Sequence, residues 1–446
     1  MFGRGLGIVL VLCGVAGGQT AAEWRARGQE AKGRGDAAGA LAAFERASAM
    51  TPKSAELHDE VGFLLAVQGR RGEAIPRFRR AIALQPKLAA AHFHLGIALW
   101  LDGDRLAGLP ALETAARLAP GVAEYRYRLG IAYFEVERFT EAARELTAAD
   151  VKTADGRYRL GVARQRSGDS FGAVEALREA VRLDPGNLEA RNNLGYLLVE
   201  TRLPDQGIEQ FQEVLKRDNG NVPAQVNLGF AFLQKAELDR AVGHLEALAA
   251  KYPALAIVHY NLGLALKQKD RLDDAAKALQ RALELDPGLA EAHYTLGITV
   301  WQSGEFEKTA HHMREAVRLR PQYAEAHYML GTALRQKGEL EAASAALREA
   351  IRLDRNNPGP YNTLALIQRQ QGNVEESRKN FAEAARIKKL REAEQAATLE
   401  LNTGIAKMES GDWAAAEGHM KRAAEAAPHW AKPKEYLERL AKRQGQ

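Results

Sequence analysis

The chain has 446 residues, of which 46% are hydrophobic and 27% charged, and this composition excludes a disordered or collagen-like protein. Its 62 lysines and arginines exceed its 57 aspartates and glutamates by five, too small an imbalance to indicate a polybasic nucleic-acid-binding surface. The low aromatic content of 7% and the presence of only 15 prolines favour a helical fold.

The N-terminal segment, residues 1–18, predicts a secretory signal peptide. Arg4 provides a positive charge, residues 6–15 form an apolar run too short to span a bilayer comfortably, and residues 16–18 are small enough for cleavage before Gln19. A short membrane anchor is the alternative. The only cysteine, Cys13, lies in this segment, so the mature chain is expected to have no disulfide and no cysteine-ligated metal. We therefore expect an exported protein, periplasmic or secreted, with no integral membrane span after cleavage.

The rest of the chain is dominated by an internal repeat with a period of about 34 residues. An alanine and a bulky apolar residue follow the repeated glycine at fixed distances, as Ala40 and Phe44 follow Gly28, and proline closes most copies. Helical apolar spacing on both sides of a polar break predicts two short helices per copy, which the small residues allow to approach closely. The interval from Gly130 to Gly161 is three residues shorter than the usual interval of 34, and Ala365 replaces the glycine in one copy. The repeated glycines are Gly28, Gly62, Gly96, Gly130, Gly161, Gly195, Gly229, Gly263, Gly297, Gly331 and Gly404.

These residues resemble the tetratricopeptide repeat family, as in Trp24, Gly28, Ala40, Phe44 and Pro52 of the first copy. The resemblance covers residues 21–430 in twelve copies. It implies an all-α protein, a right-handed α-solenoid (superhelix) of about twelve helix-turn-helix repeats.

Two copies depart from the repeat length. A short unit at residues 123–153 lacks three residues, and an insertion of five residues near 388–396 contains neither glycine nor proline, so a helix is expected to continue through it. Residues 431–446 are predicted to form a capping helix and tail, because Tyr436 and Leu440 fall on one face and a solenoid must cover its last apolar surface.

No enzyme site emerges from the sequence. It contains no phosphate-binding glycine loop between a strand and a helix and no serine in a nucleophile elbow, so no cofactor is expected. Arginine clusters such as Arg77, Arg79 and Arg80 include only Phe78, the bulky repeat residue, and lack the interleaved aromatic residues that stack on bases, so nucleic acid is not an expected partner. His312 and Glu315 are spaced as donors on one helical turn beside His311, but a third ligand is missing, so an exposed helix face is favoured over a metal site. Four other histidines occupy the place of Trp24 and are predicted to be packing residues: His92, His259, His293 and His327.

The resemblance also implies that the first helix of each copy lines a concave groove. Two columns of residues at the repeat spacing fall there, namely Tyr260, Tyr294 and Tyr328 in one and Asn193, Asn227 and Asn261 in the other. Tyrosine adds contact area at small entropic cost, and an asparagine amide both donates and accepts hydrogen bonds. These six residues are therefore the predicted peptide-binding site, with ordinary repeat packing as the alternative. A clamp for acidic chaperone C-termini is not expected, because it would need lysine and asparagine where Tyr260 and Leu264 stand.

These features predict a non-enzymatic scaffold that binds an extended peptide or a partner protein in its groove, within a cell-envelope complex. One alternative belongs to another class of function, that of an enzyme accessory. Similar asparagine columns line the groove of O-linked N-acetylglucosamine transferases, so the chain could be the substrate-recognition accessory of a separate glycosyltransferase-like enzyme.

Overall fold

The computed structural model describes residues 19–444, so the predicted signal peptide at residues 1–18 lies outside the described residues. Within residues 19–444 the chain forms 24 α-helices and no β-strand, which confirms the all-α prediction. Helices α1 to α12 are Ala21–Gly33, Ala37–Met50, Ala55–Val67, Arg71–Leu84, Ala89–Leu101, Arg105–Leu118, Ala123–Glu135, Phe139–Ala148, Ala154–Arg166, Ser170–Leu183, Leu188–Glu200 and Pro204–Arg217. Helices α13 to α24 are Val222–Gln234, Leu238–Lys251, Ala256–Gln268, Leu272–Leu285, Ala290–Gln302, Phe306–Leu319, Ala324–Gln336, Leu340–Leu353, Pro358–Gln370, Val374–Glu409, Trp413–Ala426 and Ala431–Gln444.

The helices pair in chain order into antiparallel hairpins, and each hairpin is one repeat. The odd-numbered helices up to α21 are the first helices of repeats 1 to 11, and the even-numbered helix that follows each is the second. Contacts divide the chain within α13 into two compact units, residues 1–224 (unit 1) and residues 225–446 (unit 2). Repeats 1 to 6 thus belong to unit 1 and repeats 8 to 12 to unit 2.

The repeated glycines let the two helices of a repeat approach closely, as the sequence predicts. A Cβ atom placed on Gly263 would lie 2.5 Å from Cγ of Leu279, and one on Gly62 would lie 2.7 Å from a ring carbon of Phe78. Leu279 and Phe78 are fully buried. The bulky residue of the second helix therefore occupies the space that a side chain on the first helix would need.

A left-handed turn residue connects the two helices in all twelve repeats. Glycine occupies this place eight times, with φ between 77° and 91°. Glu137, Arg202, Ala236 and Asp270 occupy it in the other four repeats, with φ between 58° and 67°. Left-handed backbone disfavours residues with a Cβ atom by about 1–2 kcal/mol. In these four repeats helix packing imposes a turn that the local sequence does not favour.

The two irregular copies differ in helix length. In repeat 4 the second helix, α8, has 10 residues instead of the usual 14. Around the insertion, α22 runs for 36 residues from Val374 to Glu409 and serves both as the second helix of repeat 11 and as the first helix of repeat 12. At the end of unit 2, Leu440 of α24 is buried in a cluster with Met420 of α23, so α24 covers the last hairpin.

No helix within residues 19–444 combines the length and apolar character needed to cross a membrane.

Candidate functional site

First helices of three successive repeats in unit 1 line an open cavity of about 450 Å³. Such a volume is typical of ligand-binding clefts. Val67 and Leu101 are 60% and 62% exposed although both are large and apolar. We refer to six of the apolar residues that line this cavity from α3, α5 and α7 as the apolar groove: Phe63, Val67, Ile97, Trp100, Leu101 and Ile131.

Beneath the apolar groove, an aromatic and polar layer is held in place by its own contacts. Nδ1 of His94 donates to a carboxylate oxygen of buried Asp59 at 2.9 Å, since a carboxylate can only accept. The His94 ring also lies 5.1 Å from the ring of Phe63. Next to it, Phe93 stacks on Tyr125 with ring centroids 4.4 Å apart. These contacts fix the orientation of the first helices.

The charged residues around the apolar groove already have partners within unit 1. Arg128 pairs with Glu124 at 2.8 Å. The indole nitrogen of Trp100 donates to Glu135 at 2.9 Å. A third pair joins Arg71 to Asp102 at 3.8 Å. The surface open to a partner is therefore mainly apolar.

The predicted asparagine column is divided between the units, and its amides differ in accessibility. Asn193 belongs to unit 1, where its amide nitrogen lies 3.3 Å from the hydroxyl of Tyr158. That hydroxyl donates to Glu189 at 2.6 Å, and burial together with this bond raises the pKa of Tyr158. In unit 2, Asn227 is half-buried and Asn261 is buried. A peptide reaching Asn193 or Asn261 would have to compete with contacts of the fold.

The predicted tyrosine column lies entirely in unit 2, and each ring also contacts the following repeat. Tyr260 has a hydrogen bond with the Thr295 side chain, and burial raises its pKa. Tyr294 packs against Tyr323 with ring centroids 4.8 Å apart. A Cβ atom on Gly359 would lie 2.8 Å from the ring of Tyr328. The three tyrosines are half-buried, so they offer part of their surface to a ligand and use the rest to join repeats.

The histidines in the place of Trp24 mostly form hydrogen bonds to the preceding turn. Nε2 of His92, His259 and His327 lies 3.0–3.1 Å from the carbonyl oxygen of the proline six residues earlier. A carbonyl only accepts, so each ring donates, and these half-buried side chains close turns rather than fill the core. His293 is buried and its Nδ1 lies 3.2 Å from Nδ1 of His312. Burial, reinforced by the neighbouring histidines, lowers the pKa of His312 to about 4.

Metal-binding geometry is not found in the described part of the chain. Across residues 19–444, no group of three or more histidine, cysteine, aspartate or glutamate side chains is placed to hold a metal ion. Among these residues, His311 and His312 therefore do not form part of a group of three possible metal ligands.

Comparison with known protein families agrees with the repeat structure. One tetratricopeptide repeat family matches residues 64–107, 102–156, 158–222 and 294–358. A TPR repeat family matches residues 263–304, and a further tetratricopeptide repeat family matches residues 223–254. These matches cover more than half of the chain, which therefore belongs to the tetratricopeptide repeat family. No curated protein matches the sequence.

Several solved structures are similar to this chain. A tetratricopeptide repeat protein from Parabacteroides merdae has 14% identity and a TM-score of 0.49, with 55% of this chain and 98% of that chain covered. MamA from Desulfovibrio magneticus has 25% identity and a TM-score of 0.32, with 38% and 96% covered. The structure of Naa15/Naa10 bound to HypK-THB has 14% identity and a TM-score of 0.42, with 96% and 78% covered.

Sequence reasoning missed the apolar groove. Its signal was present as two further columns at the repeat spacing, one of Phe63, Ile97 and Ile131 and one of Val67 and Leu101. In sequence these residues resemble core positions of an amphipathic helix. Only the packing of the helices separates the apolar residues that are covered from those that remain open.

Proposed function

We propose that the chain is a non-enzymatic scaffold that binds an extended segment of a partner protein along the apolar groove of unit 1. Proteins of the tetratricopeptide repeat family generally mediate protein–protein interactions, and their repeats are typically non-catalytic. The observation that supports this site is the exposure of Val67 and Leu101 inside a cavity formed by three repeats. Contiguous apolar surface of this kind marks interaction sites in soluble proteins.

The chemistry of the apolar groove indicates what the partner segment would present. Arg71 and Arg128 at its edge are already paired with carboxylates of the fold. Exposed ion pairs contribute little free energy, so a charged partner would gain little binding free energy by replacing them with ion pairs of its own. A segment with apolar side chains would instead bury the surfaces of Trp100 and Leu101, which is favourable in proportion to the area removed from water.

We further propose that the tyrosine column of unit 2 contributes peptide contacts. Tyr294 and Tyr328 expose part of each ring and could offer area and a hydroxyl group to a peptide. Both rings also pack against the next repeat, so an alanine at either position would weaken folding as well as binding. Tyr294→Phe keeps the ring contact and isolates the role of the hydroxyl. Asn193, Asn227 and Asn261 remain part of the proposed binding set.

Peptide selection followed by counter-selection would test the apolar groove. Twelve-residue peptides from a random display library are first selected for binding to the purified protein. Peptides that also bind the variant Leu101→Asp are then removed, and the remaining peptides are the survivors. For the survivors, calorimetry should show binding about 10- to 100-fold weaker to Leu101→Asp than to the unaltered protein, because a buried carboxylate would replace an apolar contact.

Leu106→Asp is the matched control, because Leu106 is an exposed leucine (91%) five residues away in α6 and outside the cavity. The control variant should bind the same peptides as tightly as the unaltered protein. If no peptide survives counter-selection, or if both variants lose affinity equally, the apolar groove is not the binding site.

We also propose export to the cell envelope or beyond, supported by the charged start, the apolar run and the small residues of positions 1–18. N-terminal sequencing of the native protein should give a mature chain that begins near Gln19. Recovery of native protein that retains Met1 and the apolar run would contradict cleavage.

A further inference from the structure

Glutamine ends the first helix of five consecutive repeats, beginning with Gln234 of α13, and the last four of these repeats lie wholly in unit 2. The glutamines of these last four repeats stand at the repeat spacing and are the last residues of α15, α17, α19 and α21: Gln268, Gln302, Gln336 and Gln370. All four side chains are exposed, and none has a hydrogen bond to another residue within the described chain. The same amide therefore recurs at one exposed place in successive repeats.

The residue before each glutamine is a cation in three of the four repeats: Lys267, Arg335 and Arg369, with Trp301 in the fourth. Among the described residues no carboxylate lies within ion-pair distance of any of these three cations. Nε of Arg335 is buried without a hydrogen-bond partner. Burial alone lowers the pKa of Lys267, consistent with the lack of a nearby carboxylate. We call the four residues that precede the glutamines, together with the four glutamines themselves, the polar edge.

The polar edge occupies the groove register of the repeat. Gln302 and Trp301 stand in α17 where Leu101 and Trp100 stand in α5, and the latter two line the cavity of unit 1. The first helices α15, α17, α19 and α21 contact one another in succession. The eight side chains therefore form one continuous strip along unit 2.

Several acidic side chains near these helices lie elsewhere or are paired, but Asp270, in the turn two residues after Gln268, is exposed and forms no ion pair within the described residues. Glu291 and Glu325 are in the first turns of α17 and α19, about 16 Å from the polar edge along the helix. Glu291 also forms an ion pair with Arg320. In the turn after α19, Glu339 pairs with Lys337 at 2.7 Å. The strip itself has three cations, four neutral amides and no carboxylate.

We propose that the polar edge binds an extended acidic peptide of a partner protein. The glutamine amides pair with peptide groups of its backbone, since each can donate and accept, and Lys267, Arg335 and Arg369 pair with its carboxylates. Packed helices lie about 8–10 Å apart, which matches about three residues of an extended chain at about 3.3 Å each. Successive repeats therefore contact ligand residues that are three positions apart. The inference rests on the proposed scaffold function and assigns the partner chemistry of a second surface.

A peptide fits this strip better than a nucleic acid. Every nucleotide carries a phosphate, which calls for closely spaced cations. Half of the polar edge consists of neutral amides, which suit a peptide backbone.

Two labelled probes test the proposal by fluorescence anisotropy. One is a peptide of four Glu-Ala-Ser units, and the other replaces each glutamate by glutamine. The acidic probe should bind the full chain, and added salt should weaken its binding. The triple variant Lys267→Gln, Arg335→Gln and Arg369→Gln should weaken binding about 10- to 100-fold, as expected for the loss of three partly exposed charge pairs. The neutral probe should bind weakly to both proteins.

The matched control carries Arg348→Gln, Arg378→Gln and Lys389→Gln, which remove the same charge from exposed sites on α20 and α22. It should bind the acidic probe like the unaltered chain. Circular dichroism checks folding, and Arg369→Gln alone, at an exposed site, keeps the test valid if the triple variant unfolds.

Three results would overturn the proposal. The first is equal binding of the acidic probe to the triple variant and the control. The second is tighter binding of an oligothymidylate than of the acidic peptide. The third is no binding of the acidic probe while peptides selected for the apolar groove still bind, and this result leaves the scaffold function standing.

Discussion

Replacing Gly263 by leucine is expected to lower the free energy of unfolding of repeat 8 by about 1–3 kcal/mol. The new Cβ atom would lie 2.5 Å from Cγ of Leu279 and 3.3 Å from the carbonyl oxygen of Ala275. Leu279 is fully buried and branched at the contacting atom, so it cannot move aside, and α15 and α16 must separate. Hydrogen exchange should become faster in repeats 7 to 9.

Gly243→Leu provides the control. Gly243 is exposed in α14 of the same unit, and a Cβ atom there would meet nothing within 4 Å. Leucine forms helices better than glycine by about 0.8 kcal/mol, so this variant should be as stable as the unaltered chain or more so. In a solenoid each repeat contacts only its neighbours. A uniform rise in exchange across all twelve repeats of Gly263→Leu would contradict that organisation.

Proline at Ala396 is expected to break the long helix α22 at a cost of about 3 kcal/mol or more. Ala396 is exposed, so the effect comes from the backbone rather than from lost packing. The substitution removes one hydrogen bond of the helix and places the ring against the carbonyl group of Glu392. Because the cluster around Leu401 and Met420 depends on the second half of α22, repeat 12 and α24 should loosen.

Limited proteolysis and hydrogen exchange would locate this damage. Cleavage should occur near residue 396 in the Ala396→Pro variant, with protection retained in α14 to α20. Ala396→Gly should cost only about 1 kcal/mol and keep α22 continuous. Loss of protection throughout unit 2, or an unchanged α22, would show that the two repeats are not joined through this helix.

The fold could be predicted from sequence because its determinants are local and repeated. The glycine of each first helix and the bulky residue that faces it from the second, such as Gly263 and Leu279, identify a contact within a single hairpin. The absence of glycine and proline near residue 390 indicated a continuous helix, and α22 runs through that segment. Where local chemistry is weak, as at Ala236 in its left-handed turn, the repeat pattern still defines the structure.

The candidate site was harder to predict because accessibility depends on contacts between repeats. The amide of Asn193 meets the hydroxyl of Tyr158, which lies 35 residues earlier in the previous repeat. The sequence places both residues on first helices but does not reveal this bond. Likewise, Val67 and Leu101 have the spacing of core residues, and only the arrangement of three first helices leaves them open.

Site-specific photo-crosslinking would test the central claim, that a partner protein contacts the groove formed by the first helices. Benzoylphenylalanine is placed at position 101 or at position 106, in place of two exposed leucines of which only Leu101 lines the cavity. After irradiation of native cells, we expect a discrete adduct with a second protein from position 101 and none from position 106. The adduct should disappear when Val67→Asp is also present. The same adducts from both positions, or an adduct from position 106 alone, would contradict binding in the apolar groove.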